Sequence, residues 1–212
     1  MPEAVQPGAR DKAGVGILLS GRGSNFAALL RHERDGMFAR ARIACVVSNV
    51  PSAAGLALAR EAGLPAVAID PAAFPNRRAY EQEVVSALEA HGVEWVCLAG
   101  YMRIVGPTLL GRHPQRVLNI HPSLLPSFPG LHAQKQALDH GARVSGCTVH
   151  FVDAGMDTGP IIGQRAVPVM QDDTEDTLSE RILREEHRLY AECLKRVTEE
   201  PWELRGRRVV FP

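Results

Sequence analysis

Nowhere does the 212-residue sequence hold the ~20 consecutive apolar residues of a membrane-spanning helix. Met1 to Ala13, which carries Pro, Gly, Asp and Lys, likewise lacks the apolar stretch of a secretory signal and reads as a loose tail. An excess of either charge is also missing. Lysine plus arginine total 24, as do aspartate plus glutamate, so no global positive field favours nucleic acid or an anionic membrane, and a phosphate-bearing ligand would need a local site. Cysteine is sparse: Cys45, Cys97, Cys147 and Cys193 lie far apart in apolar runs. They read as reduced packing residues rather than a disulfide framework, which points to the cytoplasm. Internal repeats, low-complexity tracts and linker-like stretches are absent as well.

What is present is an ordinary globular composition, 45% hydrophobic and 23% charged, enough for one packed domain over residues 14–212. Apolar runs alternate with helical patterns. Strands are expected at Gly14 to Ser20, Ile43 to Ser48, Pro65 to Asp70, Trp95 to Ala99 and Arg116 to His121. Helices are expected at Ser24 to Arg34, Ser52 to Glu61 and Asn76 to Ala90. The pattern then changes: a helix near Ala133 to Asp139 precedes two extended runs, Cys147 to Val152 and Gly159 to Val169, expected to pair antiparallel before a long helix from Glu175 to Val197. The fold class is α/β, a doubly wound, mostly parallel, Rossmann-like sheet with an antiparallel element near its C-terminal half. In such sheets ligands lie beyond the carboxyl ends of the strands.

Ser20-Gly21-Arg22-Gly23-Ser24-Asn25 falls between the first strand and the first helix, where backbone N–H groups and the helix dipole favour an anion. A dinucleotide fingerprint would require another glycine near Ala27 and an acid after the second strand, where Asn49 stands; a P-loop would require a lysine. A phosphomonoester remains. The plainer alternative is a helix capped by Ser24 or Asn25 with glycines making the turn.

Asn119 and His121 are two apart at the end of the fifth strand, so they share a face, and Pro122 ends the ladder. An amide and an imidazole there can converge on one carbonyl oxygen, an arrangement suited to acyl-type chemistry. The loop after His121, through Pro126, Phe128, Pro129 and Gly130, is stiffened by proline. Asp153 and Asp157 lie in a second loop, either of them a carboxylate for His121 or a solvated turn former. On the last helix, Leu178, Ile182, Leu189, Tyr190, Cys193 and Val197 form an apolar stripe that also contains Glu186. A carboxylate there needs a ligand or an internal partner such as an arginine, whereas Glu185, His187 and Arg188 lie off the stripe and are expected to be solvated.

Together the first turn, Leu98-Ala99-Gly100-Tyr101-Met102-Arg103-Ile104, Asn119-Ile120-His121-Pro122-Ser123-Leu124-Leu125-Pro126, Pro129-Gly130-Leu131-His132, Asp157-Thr158-Gly159-Pro160 and Glu186-His187 resemble the folate-dependent formyltransferases. The first turn is most similar to the phosphoribosylglycinamide formyltransferases of purine biosynthesis. The resemblance spans about Gly16 to Tyr190. It implies that Asn119 and His121 polarise a formyl carbonyl and selects Asp157 as the group that holds His121 charged. It further implies that Gly23, Ser24 and Asn25 bind the phosphate of glycinamide ribonucleotide, with Glu186 at its ribose or glycinamide end. The co-substrate, 10-formyltetrahydrofolate, would lie against Met102, Arg103, Ile104 and Val105 and against the loop of Asp153, Ala154, Gly155 and Asp157, with Arg77 near its carboxylate end. No metal, nucleic acid or membrane partner is implied, and the enzyme would be a monomer or homodimer. A formyltetrahydrofolate hydrolase would be expected to carry a regulatory domain before Gly14, and a methionyl-tRNA formyltransferase a basic domain near the other end. A non-catalytic nucleotide-binding module would leave Asn119, His121 and Asp157 unexplained.

Overall fold

The computed structural model describes residues 12–212. Most of the expected tail lies outside the described residues. Lys12 donates from Nζ to the Phe38 carbonyl at 2.7 Å, and Ala13 already belongs to the first strand. In chain order the elements are β1 (Ala13–Leu19), α1 (Ser24–Arg34), β2 (Ala41–Ser48), α2 (Ala54–Glu61), β3 (Ala66–Ala68), α3 (Arg77–Ala90), β4 (Val93–Leu98) and α4 (Pro107–Arg112). They continue with β5 (Val117–His121), α5 (Ala133–Asp139), β6 (Val144–Phe151), β7 (Ile161–Pro168), α6 (Glu175–Glu199), β8 (Glu203–Arg205) and β9 (Arg208–Val210).

Among the described residues these strands form one sheet in the order β3-β2-β1-β4-β5-β6-β7-β9-β8. Pairing is parallel from β3 to β5 and antiparallel where β6 meets β5 and β7. The expected doubly wound sheet with an antiparallel element is therefore the observed fold. Expected helices at Ser24 to Arg34 and Ala133 to Asp139 have the observed limits. The expected third strand is shorter, Ala66–Ala68, and α4, β8 and β9 were not foreseen.

Two apolar clusters cover the faces. Leu118 and Ile120 of β5 pack into the cluster that holds Phe26, Phe151 and Tyr190, while Val117 joins Leu98, Leu88 and Leu109 on the other face. Each large apolar side chain so buried contributes roughly 1.5–3 kcal/mol, which holds β5 in the sheet although it ends in polar residues. Asn119 and His121 share the parity of Val117. On α6, Thr174 caps the helix by accepting from Thr177 N, and Thr177 Oγ1 accepts from Thr174 N at 3.0 Å. Tyr190, fully buried, donates from its hydroxyl to the carbonyls of Leu98 (3.0 Å) and Leu118 (3.1 Å), tying α6 to the ends of β4 and β5. All four cysteines are free and buried, and burial pushes their thiols up to about 12. They are packing residues, not thiolate nucleophiles.

Candidate active site

The sheet changes winding direction between β1 and β4, so the turns after β1, β4 and β5 open on the same carboxyl edge. The first two are tied directly. Ser20 N donates to the Gly100 carbonyl at 3.0 Å, Met102 N donates to Ser20 Oγ at 2.8 Å, and that hydroxyl donates to Asn49 Oδ1 at 2.6 Å.

In the first turn the N-cap of α1 is Gly23, not Ser24 or Asn25, and no side chain caps the helix. Gly23 has a left-handed φ of 78°, and a Cβ there would stand 3.0 Å from Gly55 Cα. The glycine is thus required by the turn and by the approach of α2, whatever binds beside it. The first helical turn contains no acid, which leaves the positive end of the dipole uncompensated. Asn25 is buried and turned inward: Nδ2 donates to Glu186 Oε2 at 2.8 Å, and Oδ1 is buried without a hydrogen-bond partner. The internal partner of Glu186 is this amide rather than an arginine. Burial pushes the Glu186 carboxyl above its ordinary value, partly offset by the Asn25 hydrogen bond. Of its neighbours, Arg188 is exposed as expected, whereas Glu185 and His187 are less solvated than expected. Glu185 accepts from Arg165 Nη1 at 2.9 Å and Arg188 Nη1 at 3.1 Å, and His187 is half-buried, its pKa lowered by burial and by Arg31.

At the end of β5, Asn119 and His121 meet Asp157, which arrives from the β6–β7 loop. His121 Nδ1 lies 3.4 Å from Asp157 Oδ2, with both side chains largely buried. The same carboxylate oxygen accepts from Gly130 N at 2.8 Å. His121 Nε2 is 2.9 Å from the Phe128 carbonyl; a carbonyl only accepts, so Nε2 carries a hydrogen and Nδ1 is the nitrogen that faces the acid.

His150 completes the cluster and was missed in the sequence. It stands opposite Asn119 in the β5–β6 register, its Nε2 3.3 Å from Asn119 Nδ2 and 3.7 Å from Asp157 Oδ1. Its Nδ1 donates to the Phe151 carbonyl at 2.8 Å, which leaves Nε2 to accept from Asn119 in the neutral ring. Burial lowers the His150 pKa and favours that neutral form. The available signal was strand parity: Thr148 and His150 alternate with Cys147, Val149 and Phe151, which are core residues. An antiparallel β6 beside β5 therefore directs His150 to the face of Asn119.

The proline-rich loop after His121 is clamped from β6 and β7. Thr148 Oγ1 donates to the Ser123 carbonyl at 2.6 Å and accepts from Leu125 N and Gln164 Nε2, each at 3.0 Å. Phe128 has a left-handed φ of 54°, uncommon for an aromatic residue and a mark of a held loop.

The expected folate contacts fall into two groups. Arg77, Met102, Arg103, Ile104 and Val105 line a pocket of about 240 Å³. Val105 is buried in it, whereas Met102 and Ile104 are exposed. Arg77 donates to Glu81 Oε1 at 2.9 Å and to the Ile104 carbonyl at 3.1 Å, and the Arg103 guanidinium lies 5.0 Å from the Tyr80 ring centre. Asp153, Ala154 and Gly155 belong to the loop beside His121 and do not line that pocket. Asp153 is a turn former: its Oδ1 accepts from Gly155 N at 3.1 Å and Thr158 Oγ1 at 2.6 Å. Among the described residues no cluster of three or more His, Cys, Asp or Glu is arranged to hold a metal ion, and no helix is long and apolar enough to cross a membrane.

The chain is similar in sequence and fold to known proteins. A solved structure of glycinamide ribonucleotide transformylase 1 from Symbiobacterium toebii superposes with a TM-score of 0.92 at 51% identity, covering 95% of this chain and 94% of that one. The phosphoribosylglycinamide formyltransferase of Bacillus subtilis is 41% identical over 181 residues, which are 85% of this chain and 92% of that protein. The trifunctional purine biosynthetic protein adenosine-3 of Drosophila melanogaster is 46% identical over 181 residues, and the chain spans only 13% of its length. The profile of the formyl transferase family matches residues 14–194, and with most of the sequence so matched, the chain belongs to the formyl transferase family.

Proposed function

We propose that residues 14–212 act as a formyltransferase that moves the formyl group of 10-formyltetrahydrofolate to the amine of glycinamide ribonucleotide, releasing tetrahydrofolate. The observation that carries this reading is the meeting of Asn119, His121 and Asp157 at a strand end, with His121 Nδ1 3.4 Å from Asp157. The amine nitrogen attacks the formyl carbon, the new C–N bond forms, and the carbonyl oxygen becomes an oxyanion. One Asn119 N–H is directed at His150; the other donates to that oxygen, and protonated His121 supplies positive charge beside it. Collapse breaks the bond between the formyl carbon and folate nitrogen, while Asp157 and water carry the proton lost by the amine to that nitrogen.

Around this centre, Gly23, Ser24 and Asn25 receive the ribonucleotide phosphate at the uncapped helix start, and Glu186 acts through the Asn25 amide that it holds. The folate lies between the pocket of Met102, Arg103, Ile104 and Val105 and the loop of Asp153, Ala154, Gly155 and Asp157, with Arg77 towards its carboxylates. Four buried free thiols favour the cytoplasm as its compartment.

The test incubates purified protein with 10-formyltetrahydrofolate, with and without glycinamide ribonucleotide, and follows formylated ribonucleotide, tetrahydrofolate and formate. Formylated product and tetrahydrofolate are expected in equal amounts and only with the amine. Formate release at the same rate without the amine would identify a hydrolase instead.

A further inference from the structure

The β6–β7 loop must keep Asp157 against His121, yet its own backbone opposes this. Asp157 has a left-handed φ of 54°, a region that aspartate tolerates better than most side chains but that still costs more than it would for glycine. Asp153 shapes the loop internally, through Gly155 N and Thr158 Oγ1, and Gly130 N holds the Asp157 carboxylate itself.

Two further holds come from the segment after α6. At the β6 stem, the Trp202 ring packs on Phe151, their centres 4.9 Å apart, and Trp202 is fixed by donating from Nε1 to the Val197 carbonyl at 3.1 Å. At the β7 stem, Arg207 Nη2 donates to the Thr158 carbonyl at 2.5 Å, one residue beyond Asp157. β9 adjoins β7 through the pair Ile161 and Arg208. Arg205 pairs with Arg208 across a two-residue turn in which Gly206 has a φ of 63°, as a tight hairpin requires. The turn thus presents Arg207 at its tip. This hairpin lies outside the span matched by the family profile, 14–194.

We infer that the β8–β9 hairpin is a positioning element for Asp157 and that Arg207 is its positioning residue, acting on the Thr158 carbonyl to keep the preceding carboxylate on His121 and Gly130. The inference rests on the proposed reading of Asp157 as the acid that governs His121. A charged N–H donor to a carbonyl is stronger than a neutral one, and the contact lies outside the reacting centre, so Arg207 touches no reacting atom. Being exposed, it can be replaced with little effect on global stability.

The experiment compares the full chain with Arg207→Ala, Arg207→Lys and Asp157→Asn by amide hydrogen exchange, thermal melting and steady-state formyl transfer. Arg207→Ala is expected to speed exchange at Gly155 and Gly130 but not in α1, and to leave the melting temperature within about 2 °C. It is also expected to lower kcat about fivefold or more, with the KM for ribonucleotide within about twofold. Arg207→Lys, which keeps a charged donor, is expected to recover most of both losses. Unchanged exchange at Gly155 and Gly130 in Arg207→Ala overturns the inference whatever the activity does, as does unchanged kcat or a failure of lysine to recover either loss. If Asp157→Asn transfers formyl as fast as the native chain, the reading of Asp157 fails instead, and the exchange data still decide whether the hairpin holds the loop.

Discussion

Glu186 is a carboxyl placed where water is excluded, and its proton is held more tightly in the folded chain than the ordinary value of 4.5 would give, first because of burial, with the Asn25 amide opposing in part. A folded-state pKa raised in this way contributes stability that is fully present below the unfolded pKa and is lost as pH rises through the folded one. Glu186→Gln keeps an oxygen that accepts from Asn25 Nδ2 and cannot ionise. Its melting temperature is therefore expected to gain on that of the native chain as pH is raised from about 4 to about 8; parallel melting curves across that range would show that Glu186 does not titrate in the fold. The position of Glu186 in an apolar helical stripe was legible from spacing alone. Its partner was not, because Asn25 lies 161 residues away and only α1–α6 packing joins them. His150 was only partly legible for a related reason: parity gives its face, but its place opposite Asn119 depends on the β5–β6 register, which no local pattern encodes.

Elements with a strong period and clear ends were read almost residue for residue, as α1 and α5 show, and the antiparallel β6 and β7 followed from the shortness of their connection. The elements that escaped were short. α4 spans six residues and contains Gly111, and β8 and β9 have three residues each, too few for a period to stand out. The start of α1 was located correctly but its cap was not, because Gly23 fills that position through packing against Gly55. A substitution at Gly23 would confuse loss of binding with strain, since a side chain in the left-handed region costs ~1–2 kcal/mol by itself. Ser24→Asp separates the two. An acid in the first turn of a helix is stabilising by ~0.3–1 kcal/mol, yet it would repel a phosphate at the same N–H groups. The melting temperature is expected to be unchanged or higher while the KM for glycinamide ribonucleotide rises about tenfold or more. An unchanged KM would return the turn to a purely structural role.

Across the whole molecule, the sheet order brings together segments that are far apart in sequence. The turn after β1 and the loop after β4 are joined through Ser20. The end of β5 meets the β6–β7 loop at His121 and Asp157, and α6 spans beneath, bonding to the carbonyls just before Ala99 and Asn119. The proposed function gives binding to the helix start and chemistry to the strand end, on different residues, and this division is the central claim. That Asn119 and His121 share a face was readable from strand parity; the placement of Asp157 beside His121 was expected only through family resemblance, because its loop could equally have turned it to solvent. The most direct measurement is a single-turnover assay of Asp157→Asn with both substrates saturating, together with its ribonucleotide Kd. The formyl-transfer rate is expected to fall by about 100-fold or more while Kd changes by less than about threefold; a native rate, or a loss accounted for by Kd, would contradict the account.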